Sequence, residues 1–382
     1  MKLGILVTSI GSFGKKGFYN LQEIGLARAL DPLVEEIKIY KLVSKNQLGE
    51  TLPVSGSLHS TIQMIPSFQI GSNGIPDTQI FDPSLDVLIC FSDTQLSLPR
   101  VYRWAMKHKI YFIPYAGVLE SHSGNWGKRV MMNLAFRSCR RVYQKADYCL
   151  AKTPRVREEL HKLGAKRVFV APVGLDLDSE AGKERCSEEM LRKKYGYEAG
   201  EKVLLFIGRM TAEKRPMLML DLFDRIQKEH SEYRLLMVGT GELEEAVKEK
   251  VQSQLLVSKV KQIREIANDR IHELYRIADV FINLNQQEIF GMVILEAMYY
   301  GCKVVAWRAP GPEFIIEDGK SGWLVDTAEQ AVDRILDEND FTECARARIE
   351  ENFTWERTAE KIGDLVKRIG EYNEHNTGTY TS

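Results

Sequence analysis

The chain has 382 residues, of which 44% are hydrophobic and 27% are charged. At about 100–200 residues per domain, this length predicts two or three globular domains, and it excludes a disordered tail protein, a coiled coil or a collagen-like fibre. The longest apolar runs, Val87–Phe91 and Val203–Ile207, are strand-sized, whereas a membrane span needs about 20 apolar residues.

Charge is divided unevenly along the chain. Residues 1–174 carry 23 Lys and Arg against 13 Asp and Glu, a net charge of +10, whereas residues 175–382 carry 29 against 40, a net charge of −11. This asymmetry suggests different partners for the two parts, with an anionic surface for the first. A simple drift of charge between domains is the alternative interpretation.

Two features predict a cytoplasmic location. The six cysteines form no CxxC pair and have no partnering histidines, so we expect neither a disulfide framework nor a zinc site. Met1–Ile10 has a short apolar run but no small-residue cleavage site, so it predicts a first strand and not a signal peptide.

In chain order, apolar strand-like runs alternate with amphipathic stretches, which is typical of βα units around a parallel sheet. The strands predicted in the first part are Lys2–Ser9, Glu36–Leu42, Asp86–Phe91, Lys109–Pro114, Tyr148–Ala151 and Arg167–Ala171. The helices predicted there are Tyr19–Leu30, Gln95–Lys107, Lys128–Lys145 and Pro154–Leu163. Gly49–Asp82 is rich in Ser, Gly, Pro and Thr, and is predicted to form long loops or short irregular strands.

The pattern stops at the polar stretch Pro172–Arg185 and then begins again. The predicted strands of this second array are Lys202–Ile207, Tyr233–Val238, Leu256–Ile263, Val280–Leu284, Lys303–Trp307 and Gly322–Val325. Two arrays joined by a linker predict an α/β fold of two Rossmann-like domains facing a central cleft, with boundaries at 1–174 and 175–353. A final segment, 354–382, contains the helix Thr354–Ile369, with a Thr able to cap it.

A glycine-rich segment, Gly11-Ser-Phe-Gly14-Lys-Lys-Gly17, follows the first predicted strand. Its amides, Gly14 among them, are suited to approach an anion or a sugar. The spacing is GxxGxxG, so it is neither a dinucleotide fingerprint nor a P-loop. A flexible turn between strand and helix is the alternative.

Two cations surround a helix start in the second array. Gly208 and Arg209 follow a predicted strand, and Lys214 precedes Pro216, a residue suited to the first helical turn. Cations near free helix amides form a cradle for a pyrophosphate without a metal. A solvated basic loop is the alternative.

Two glutamates lie around the next helix start. Glu288 follows the strand Val280–Leu284, Gly291 opens a helix, and Glu296 comes about a turn and a half later. Paired carboxylates at this position are suited to accept hydrogen bonds from the vicinal hydroxyls of a sugar or ribose, and a helix N-terminus keeps them ionised.

These segments resemble those of the retaining glycosyltransferases of family 4, which have the GT-B fold. The run EIFGMVILEAMYYG resembles the family's E-x7-E signature, GRMTAEKRP its phosphate segment, and PVGLD its turn between domains. FTWERTAE resembles the start of its C-terminal helix, which crosses back to the first domain. The resemblance extends from residue 1 to about residue 370.

The resemblance implies a metal-independent transfer of a sugar from a nucleoside diphosphate with retention of configuration. Arg209 and Lys214 would hold the diphosphate, Glu288 the transferred sugar and Glu296 the ribose hydroxyls. The amides of Phe290, Gly291 and Met292 would contact sugar and phosphate. Val238–Gly241 and the strand ending at Ile263 would line the base pocket. The donor would bind the second domain and the acceptor the first, and no cofactor is implied.

The sequence departs from the family at its catalytic-region histidine, where Tyr115-Ala116-Gly117 stands instead. His122, in the same predicted loop, is a candidate replacement, and a surface histidine is the alternative. Asp176-Leu-Asp178 spells the DxD metal motif of another glycosyltransferase fold, but its place after PVGL favours a linker.

The predicted helix Lys128–Lys145 carries six basic residues and no acidic one. Such a helix is suited to lie on anionic lipid, and in several family members the first domain does so, which predicts peripheral contact with a membrane. A helix with one core face and one solvated face is the alternative. No motif of a nucleic-acid reader is present, so nucleic acid is not expected as a partner.

The residues leave the substrates open. The resemblance favours a UDP-sugar donor over GDP-mannose only by its frequency in the family. The acceptor is expected to be a glycan, a lipid-linked molecule or a small molecule, with surface polysaccharide or glycoconjugate synthesis as the expected pathway. Two alternative functions remain: a non-catalytic protein that binds nucleotide sugars, and a nucleotide-sugar epimerase of the same fold.

Overall fold

The structure is a computed structural model that describes residues 1–8, 10, 22–45, 50–70, 73–92, 96–119, 126–177 and 186–377. These residues divide into two compact units. Unit 1 comprises the described residues of Met1–Gly11, Leu21–Gly174 and Thr354–Ser382, and unit 2 comprises those of Leu175–Phe353.

Unit 1 is built on a nine-stranded sheet with the order β3-β4-β2-β1-β6-β7-β8-β9, and β5 pairs with β4. The strands are β1 (Lys2–Val7), β2 (Glu36–Ser44), β3 (Thr51–Pro53), β4 (Ser60–Ile70), β5 (Asn73–Pro76), β6 (Val87–Phe91), β7 (Tyr111–Ala116), β8 (Cys149–Ala151) and β9 (Val168–Val170). All neighbours are parallel except β3 and β5, which run antiparallel to β4. The central strand β6 is buried along its whole length, as is typical of an apolar strand in the interior of a parallel sheet.

The helices of unit 1 lie close to their predicted positions. They are α1 (Gln22–Leu30), α2 (Leu98–Lys107), α3 (Trp126–Lys145) and α4 (Pro154–Lys162), with single 3-10 turns at Asp31–Leu33 and Thr78–Ile80. Thr153 caps α4 through a hydrogen bond from the Val156 amide, and Pro154 occupies its first turn, where no amide donor is needed.

The prediction for Gly49–Asp82 was wrong in one respect, because this stretch contains the 11-residue strand β4. β4 continues the parallel sheet beside β2, with Ile39 opposite Ile62 and Val43 opposite Pro66. The prolines and serines of this stretch indicate loops. Pro66 is nevertheless accommodated in β4, between the residues that pair with β3 and those that pair with β5, and the alternation in STIQMI places Ile62 and Met64 on one face.

Unit 2 contains a six-stranded, all-parallel sheet with the order β12-β11-β10-β13-β14-β15. The strands are β10 (Lys202–Ile207), β11 (Tyr233–Val238), β12 (Val260–Ile263), β13 (Val280–Asn283), β14 (Lys303–Trp307) and β15 (Trp323–Val325). From β10 the chain adds strands first on one side and then, from β13, on the other. The order therefore reverses between β10 and β13.

The helices of unit 2 cover both faces of this sheet. They are α5 (Glu188–Tyr195), α6 (Pro216–Glu229), α7 (Glu244–Ser253), α8 (Ile271–Arg276), α9 (Met292–Tyr299), α10 (Pro310–Ile315), α11 (Ala328–Leu336) and α12 (Thr342–Asn352), with single 3-10 turns at Ala212–Lys214 and Asn268–Arg270. Phe223 of α6 packs in one cluster with Leu235 of β11 and Ile282 of β13, and all three are almost completely buried. These contacts hold α6 against the sheet.

The last helix, α13 (Trp355–Thr377), belongs to unit 1. Thr354 caps it by accepting a hydrogen bond from the Arg357 amide at 3.3 Å, as the sequence predicted. The Trp355 indole lies against Gly25 of α1, where an added Cβ would come within 2.1 Å of the ring. Gly174 makes a similar approach to the backbone of Thr354 and Trp355. Only glycine fits at either position.

Removal of the Glu273 charge is expected to destabilise the chain in a pH-dependent way. Burial raises the pKa of this carboxyl, but hydrogen bonds from Lys194, Tyr195 and Arg270 outweigh it and bring the pKa to about 2 from an ordinary 4.5. A lowered pKa contributes stability above pH 4.5 that is lost as the pH falls towards 2. Because Lys194 and Arg270 are about half exposed, Glu273→Gln should cost about 1 kcal/mol at pH 7.

Urea unfolding at pH 7 and pH 3 measures this contribution. The difference between Glu273→Gln and wild type should shrink at the lower pH, because the Glu273 carboxyl of the unfolded wild-type chain is then protonated while the glutamine of the variant does not titrate. Glu351→Gln, at an exposed position of α12, is the matched control and should change neither value. An equal cost for Glu273→Gln at both pH values would contradict the assignment.

Candidate functional site

The candidate site lies where β10 and β13 end side by side in unit 2. In open α/β sheets, ligands bind beyond the carboxyl ends of the strands at the point where the strand order reverses. Two segments leave the sheet there: residues 208–215 after β10 and residues 284–291 after β13. They contain most of the site residues that the sequence predicted.

The segment after β10 is fixed by backbone hydrogen bonds. The Gly208 amide donates to Val238 at 3.0 Å, and the Met210 amide donates to Thr240 at 2.9 Å. A single 3-10 turn follows, and Arg215 then adopts the left-handed conformation, with φ 57° and ψ 47°. This conformation turns the chain into α6, and Lys214 precedes the turn.

Lys214 forms an ion pair with Glu288. Its Nζ lies 2.7 Å from Glu288 Oε2, and the two side chains are only 22% and 14% exposed. These residues are 74 positions apart in sequence, and the parallel neighbours β10 and β13 bring them together. A mostly buried cation and a mostly buried carboxylate thus meet at the reversal point.

Two asparagines that the sequence analysis did not single out also hold Glu288. Asn285 Nδ2 lies 3.1 Å from Glu288 Oε2, and Asn283 Nδ2 lies 3.4 Å from the same atom. Both asparagines are 6% exposed. The signal for them was the sequence INLN, in which polar amides interrupt an apolar strand just before a glutamate.

These contacts keep Glu288 ionised. Burial raises the pKa of its carboxyl, but the Lys214 ammonium and the hydrogen bonds from Lys214, Asn285 and Asn283 outweigh burial, so the pKa lies below its ordinary value. At neutral pH the site therefore presents an ion pair whose carboxylate accepts hydrogen bonds and whose ammonium attracts an anion.

Two glycines fix the segment 284–291. Gly291 adopts φ 99°, and an added Cβ would lie 2.9 Å from Ile294 Cδ1 and 3.3 Å from Glu288 Cγ. The Gly311 amide donates to the Glu288 carbonyl at 2.8 Å, and a Cβ there would lie 2.1 Å from the Phe290 carbonyl oxygen. Gly291 also begins α9 without a side-chain cap, so the first amides of α9 are suited to a ligand.

Glu296 lies further along α9 and has a different partner. Tyr275 of α8 donates its hydroxyl proton to Glu296 Oε2, with an oxygen–oxygen distance of 2.6 Å. Burial, followed by the nearby Glu296 charge, raises the pKa of Tyr275 well above its ordinary value, so the phenol stays protonated and acts as a donor. The Tyr275 ring stacks on Tyr300, with planes 3° apart. Glu296 is therefore held in one orientation.

Arg209 lies outside the cluster around Glu288. Its side chain is 66% exposed and pairs with Glu213, four residues later in the same segment. The structure therefore brings Lys214 and Glu288 together but places Arg209 on an exposed pair beside them.

Arg215 forms a second cluster that the sequence analysis missed. Its guanidinium stacks on the Trp307 ring at the end of β14, with 4.4 Å between group and ring centre. With its amide oxygen turned towards them, Gln286 accepts hydrogen bonds from Trp307 Nε1 at 3.0 Å and from Arg215 Nη1 at 3.2 Å. This cluster connects the segments that follow β10, β13 and β14.

The remaining predicted residues divide into two groups. Ile263 ends β12, where its carbonyl accepts a hydrogen bond from the Gly239 amide at 2.9 Å. Gly14, His122 and Asp178 lie outside the described residues. Among the residues that the structure does describe, no three His, Cys, Asp or Glu side chains come together as a metal site. None of the described helices is long and apolar enough to cross a membrane.

Comparison with known proteins shows what this chain is similar to. Residues 187–353 match the family model for glycosyl transferases group 1, a segment that contains Lys214, Glu288 and Glu296. The fold is similar to that of sucrose-phosphate synthase from Thermosynechococcus elongatus, with a TM-score of 0.76 over 97% of this chain and 99% of that one, at 17% identity. The predicted GT-B fold is confirmed, and residues 187–353 are similar to the glycosyl transferases of group 1.

A second solved structure and a curated relative are also similar to this chain. The structure of Anabaena HepE in complex with UDP-glucose matches with a TM-score of 0.72 at 16% identity, over 96% of this chain and 100% of that one. Mannosylfructose-phosphate synthase of Agrobacterium fabrum is 31% identical over 175 residues, 43% of this chain and 38% of that protein. The aligned segments span about half the length, or less, of the curated relatives that the chain first matches. Membership of family 4 and the roles of its E-x7-E signature stay predictions.

Proposed function

We propose that this protein is a retaining, metal-independent glycosyltransferase that moves a sugar from a nucleoside diphosphate, most favourably UDP, to a hydroxyl acceptor. The observation that carries the proposal is the Lys214–Glu288 pair at the reversal point of a parallel sheet, beside the uncapped start of α9. A cation next to free helix amides suits a diphosphate, and a fixed carboxylate suits sugar hydroxyls.

In this proposal each group has one task. Lys214 and the first amides of α9 stabilise the negative charge that grows on the departing diphosphate, and Arg209 turns from Glu213 to the same diphosphate when the donor binds. Glu288 orients the transferred sugar, and Glu296, fixed by Tyr275, accepts hydrogen bonds from the ribose. The acceptor attacks from the face that the diphosphate leaves, and the diphosphate takes the acceptor proton.

The names of the relatives support a sugar or a sugar phosphate as acceptor. Mannosylfructose-phosphate synthase and sucrose-phosphate synthase are named for phosphorylated products, and the HepE complex contains UDP-glucose. We propose UDP-glucose as the first donor to test. The assignment of the donor to unit 2 and of the acceptor to unit 1 is part of the proposal.

A panel of nucleotide sugars tests the proposal. Saturation-transfer NMR on the full chain should detect a UDP-sugar, and transfer to a sugar phosphate, a glycan or a lipid-linked acceptor should give a product with the donor's anomeric configuration. Binding without turnover under any acceptor would instead identify a non-catalytic protein. Conversion of the donor without an acceptor would identify an epimerase.

Activity is expected to survive excess EDTA. The proposed leaving-group contacts come from an ammonium and amides, and Asp176 is assigned to the linker and not to a metal site. The measurement is initial rate after dialysis against EDTA and after return of Mn²⁺ or Mg²⁺. A loss of activity that Mn²⁺ alone restores would move Asp176 and Asp178 into the site.

Charge reversal on α3 is expected to abolish binding to anionic vesicles. Arg137, Arg140 and Arg141 are exposed, and a basic residue near an anionic surface contributes about 1 kcal/mol, screened over about 8 Å at physiological salt. Changing all three to Glu should remove co-sedimentation with acidic vesicles and leave donor binding intact. Equal sedimentation of variant and wild type, or none by either, would remove the membrane from the proposal.

A further inference from the structure

A pocket of about 660 Å³ lies in unit 1, between α2 and the turn that leads into β6. We name it the α2 pocket. Its volume is in the range of about 300–1,000 Å³ that is usual for small-molecule sites. Five of its lining residues, Arg100, Arg103, Trp104, Lys107 and His108, come from α2 and its C-cap.

The charged side chains that line the α2 pocket are all basic. Arg100, Arg103 and Lys107 follow the spacing i, i+3, i+7, so they share one face of α2, and all three are exposed. No carboxylate is among the lining residues. Asp82, beside the turn, is already bound by Lys38 at 2.5 Å and by the Ser84 hydroxyl at 2.7 Å. The pocket is therefore suited to an anion.

Aromatic side chains line the α2 pocket beside these cations. Phe81 is 2% exposed and packs edge-on against the half-buried Trp104, with 5.2 Å between ring centres and 70° between planes. The His108 ring also packs against Trp104, with 4.9 Å between ring centres and 38° between planes. The indole is thus held in place before any ligand binds, with part of its surface open to the pocket.

The two features together define a ligand class. Guanidinium groups bind phosphate through paired hydrogen bonds, and an indole face packs well against the apolar C–H face of a sugar ring. We propose that the α2 pocket binds a phosphorylated sugar, either free or as the headgroup of a lipid. This goes beyond the proposed function and does not depend on it.

The position of the α2 pocket separates it from a substrate site. The turn at Thr78–Ile80 leads towards the amino end of β6, and the end of α2 leads to the amino end of β7. Substrates of open α/β sheets bind at the opposite, carboxyl ends of the strands. The α2 pocket is therefore a second ligand site, distinct from the donor site in unit 2.

Calorimetry with the full chain tests the proposal in two arms. The soluble arm compares glucose 6-phosphate with glucose and with inorganic phosphate, and the lipid arm compares phosphatidylcholine vesicles with and without phosphatidylinositol 4-phosphate. Binding of glucose 6-phosphate supports a free ligand, and binding to the phosphoinositide vesicles alone supports a headgroup. Failure of both arms would overturn the proposal.

Variants locate the binding in the α2 pocket. Arg100→Glu with Arg103→Glu should weaken binding at least about tenfold, because two charge-assisted contacts become repulsive. Trp104→Leu should weaken the binding of glucose 6-phosphate but leave the binding of inorganic phosphate unchanged. Lys361→Glu with Lys367→Glu, on exposed positions of α13, is the control of equal charge change.

The melting temperature of each variant verifies that it folds. Wild-type binding by the Arg100/Arg103 variant, or an equal loss in the control, would overturn the proposal. Donor binding and turnover are separate readouts, so a failure here is distinguishable from a failure of the proposed transferase activity.

Discussion

Lys214→Ala is expected to lower kcat/KM by about 30- to 1,000-fold, which corresponds to about 2–4 kcal/mol of transition-state stabilisation from one oriented charge. The physical reason is that Lys214 Nζ is fixed by Glu288 at 2.7 Å beside the start of α9, and so needs no reorganisation when charge grows on the leaving group. Initial rates with the donor identified by the panel measure this loss. Near-normal turnover would show that Lys214 does not contact the leaving group.

The same change is expected to lower stability. Without Lys214, the ionised and mostly buried Glu288 keeps the asparagine amides as its partners among the described residues, so the free energy of unfolding should fall by about 3 kcal/mol. Lys214→Ala with Glu288→Gln removes the unpaired charge and should recover part of that stability while activity stays low. Arg209→Ala is the matched control: its pair with Glu213 is exposed, so stability should change by less than about 1 kcal/mol.

Gly291→Ala is expected to lower kcat/KM by about 100-fold, because a displacement of about 1 Å in a positioning group costs about that much. The new Cβ would lie 2.9 Å from Ile294 Cδ1 and 3.3 Å from Glu288 Cγ, so these two side chains and the backbone that carries them must move apart. Its φ of 99° adds strain of about 1–2 kcal/mol to the folded state. Steady-state kinetics and urea unfolding separate the two effects.

Gly200→Ala is the control for the strain alone. Gly200 has φ 87°, close to that of Gly291, but an added Cβ there would meet nothing within 4 Å. Both variants should lose similar stability from the backbone, and only Gly291→Ala should lose activity. Equal activity of the two variants would show that the position of Glu288 does not affect catalysis.

The strand pattern was readable from the sequence because most strands of both units are short runs buried on both faces. Val87–Phe91 and Val203–Ile207 are examples in which every residue is buried, so apolar composition alone marks them. Apolar composition did not identify β4, because many of its residues are only half-buried and its last three are exposed. Pro66 and the nearby serines are also typical of loops. Pairing with β2, a long-range contact, makes it a strand.

The sequence predicted individual residues of the candidate site but not the contacts between them. The sequence identified Lys214 and Glu288 as polar residues near two helix starts, but it does not give the order of strands in a sheet. The direct ion pair depends on β10 and β13 being neighbours, although β11 and β12 lie between them in sequence. The residues Asn283 and Asn285 were missed because buried amides have no periodic signal.

The Arg215 cluster shows a further limit of sequence reasoning. A basic residue after Lys214 predicts a solvated loop, whereas the structure gives Arg215 a left-handed backbone and a stacked guanidinium on Trp307. Arginine carries a steric penalty in that conformation that glycine would not. The contact that offsets the penalty lies 92 positions away and follows from the order of β10, β13 and β14.

The return of α13 to unit 1 has a consequence for biosynthesis. Unit 1 is discontinuous in sequence, because Trp355 fills the space beside Gly25 only after the whole of unit 2 has been translated. The described residues of unit 2 all lie between Leu175 and Phe353, and the Leu175 amide donates a hydrogen bond to the Phe353 carbonyl at 2.8 Å. On the ribosome, unit 2 is therefore able to complete its fold before unit 1 does, although most of unit 1 is translated earlier. A nascent chain stalled before Trp355 emerges would carry a finished second unit and an open first one.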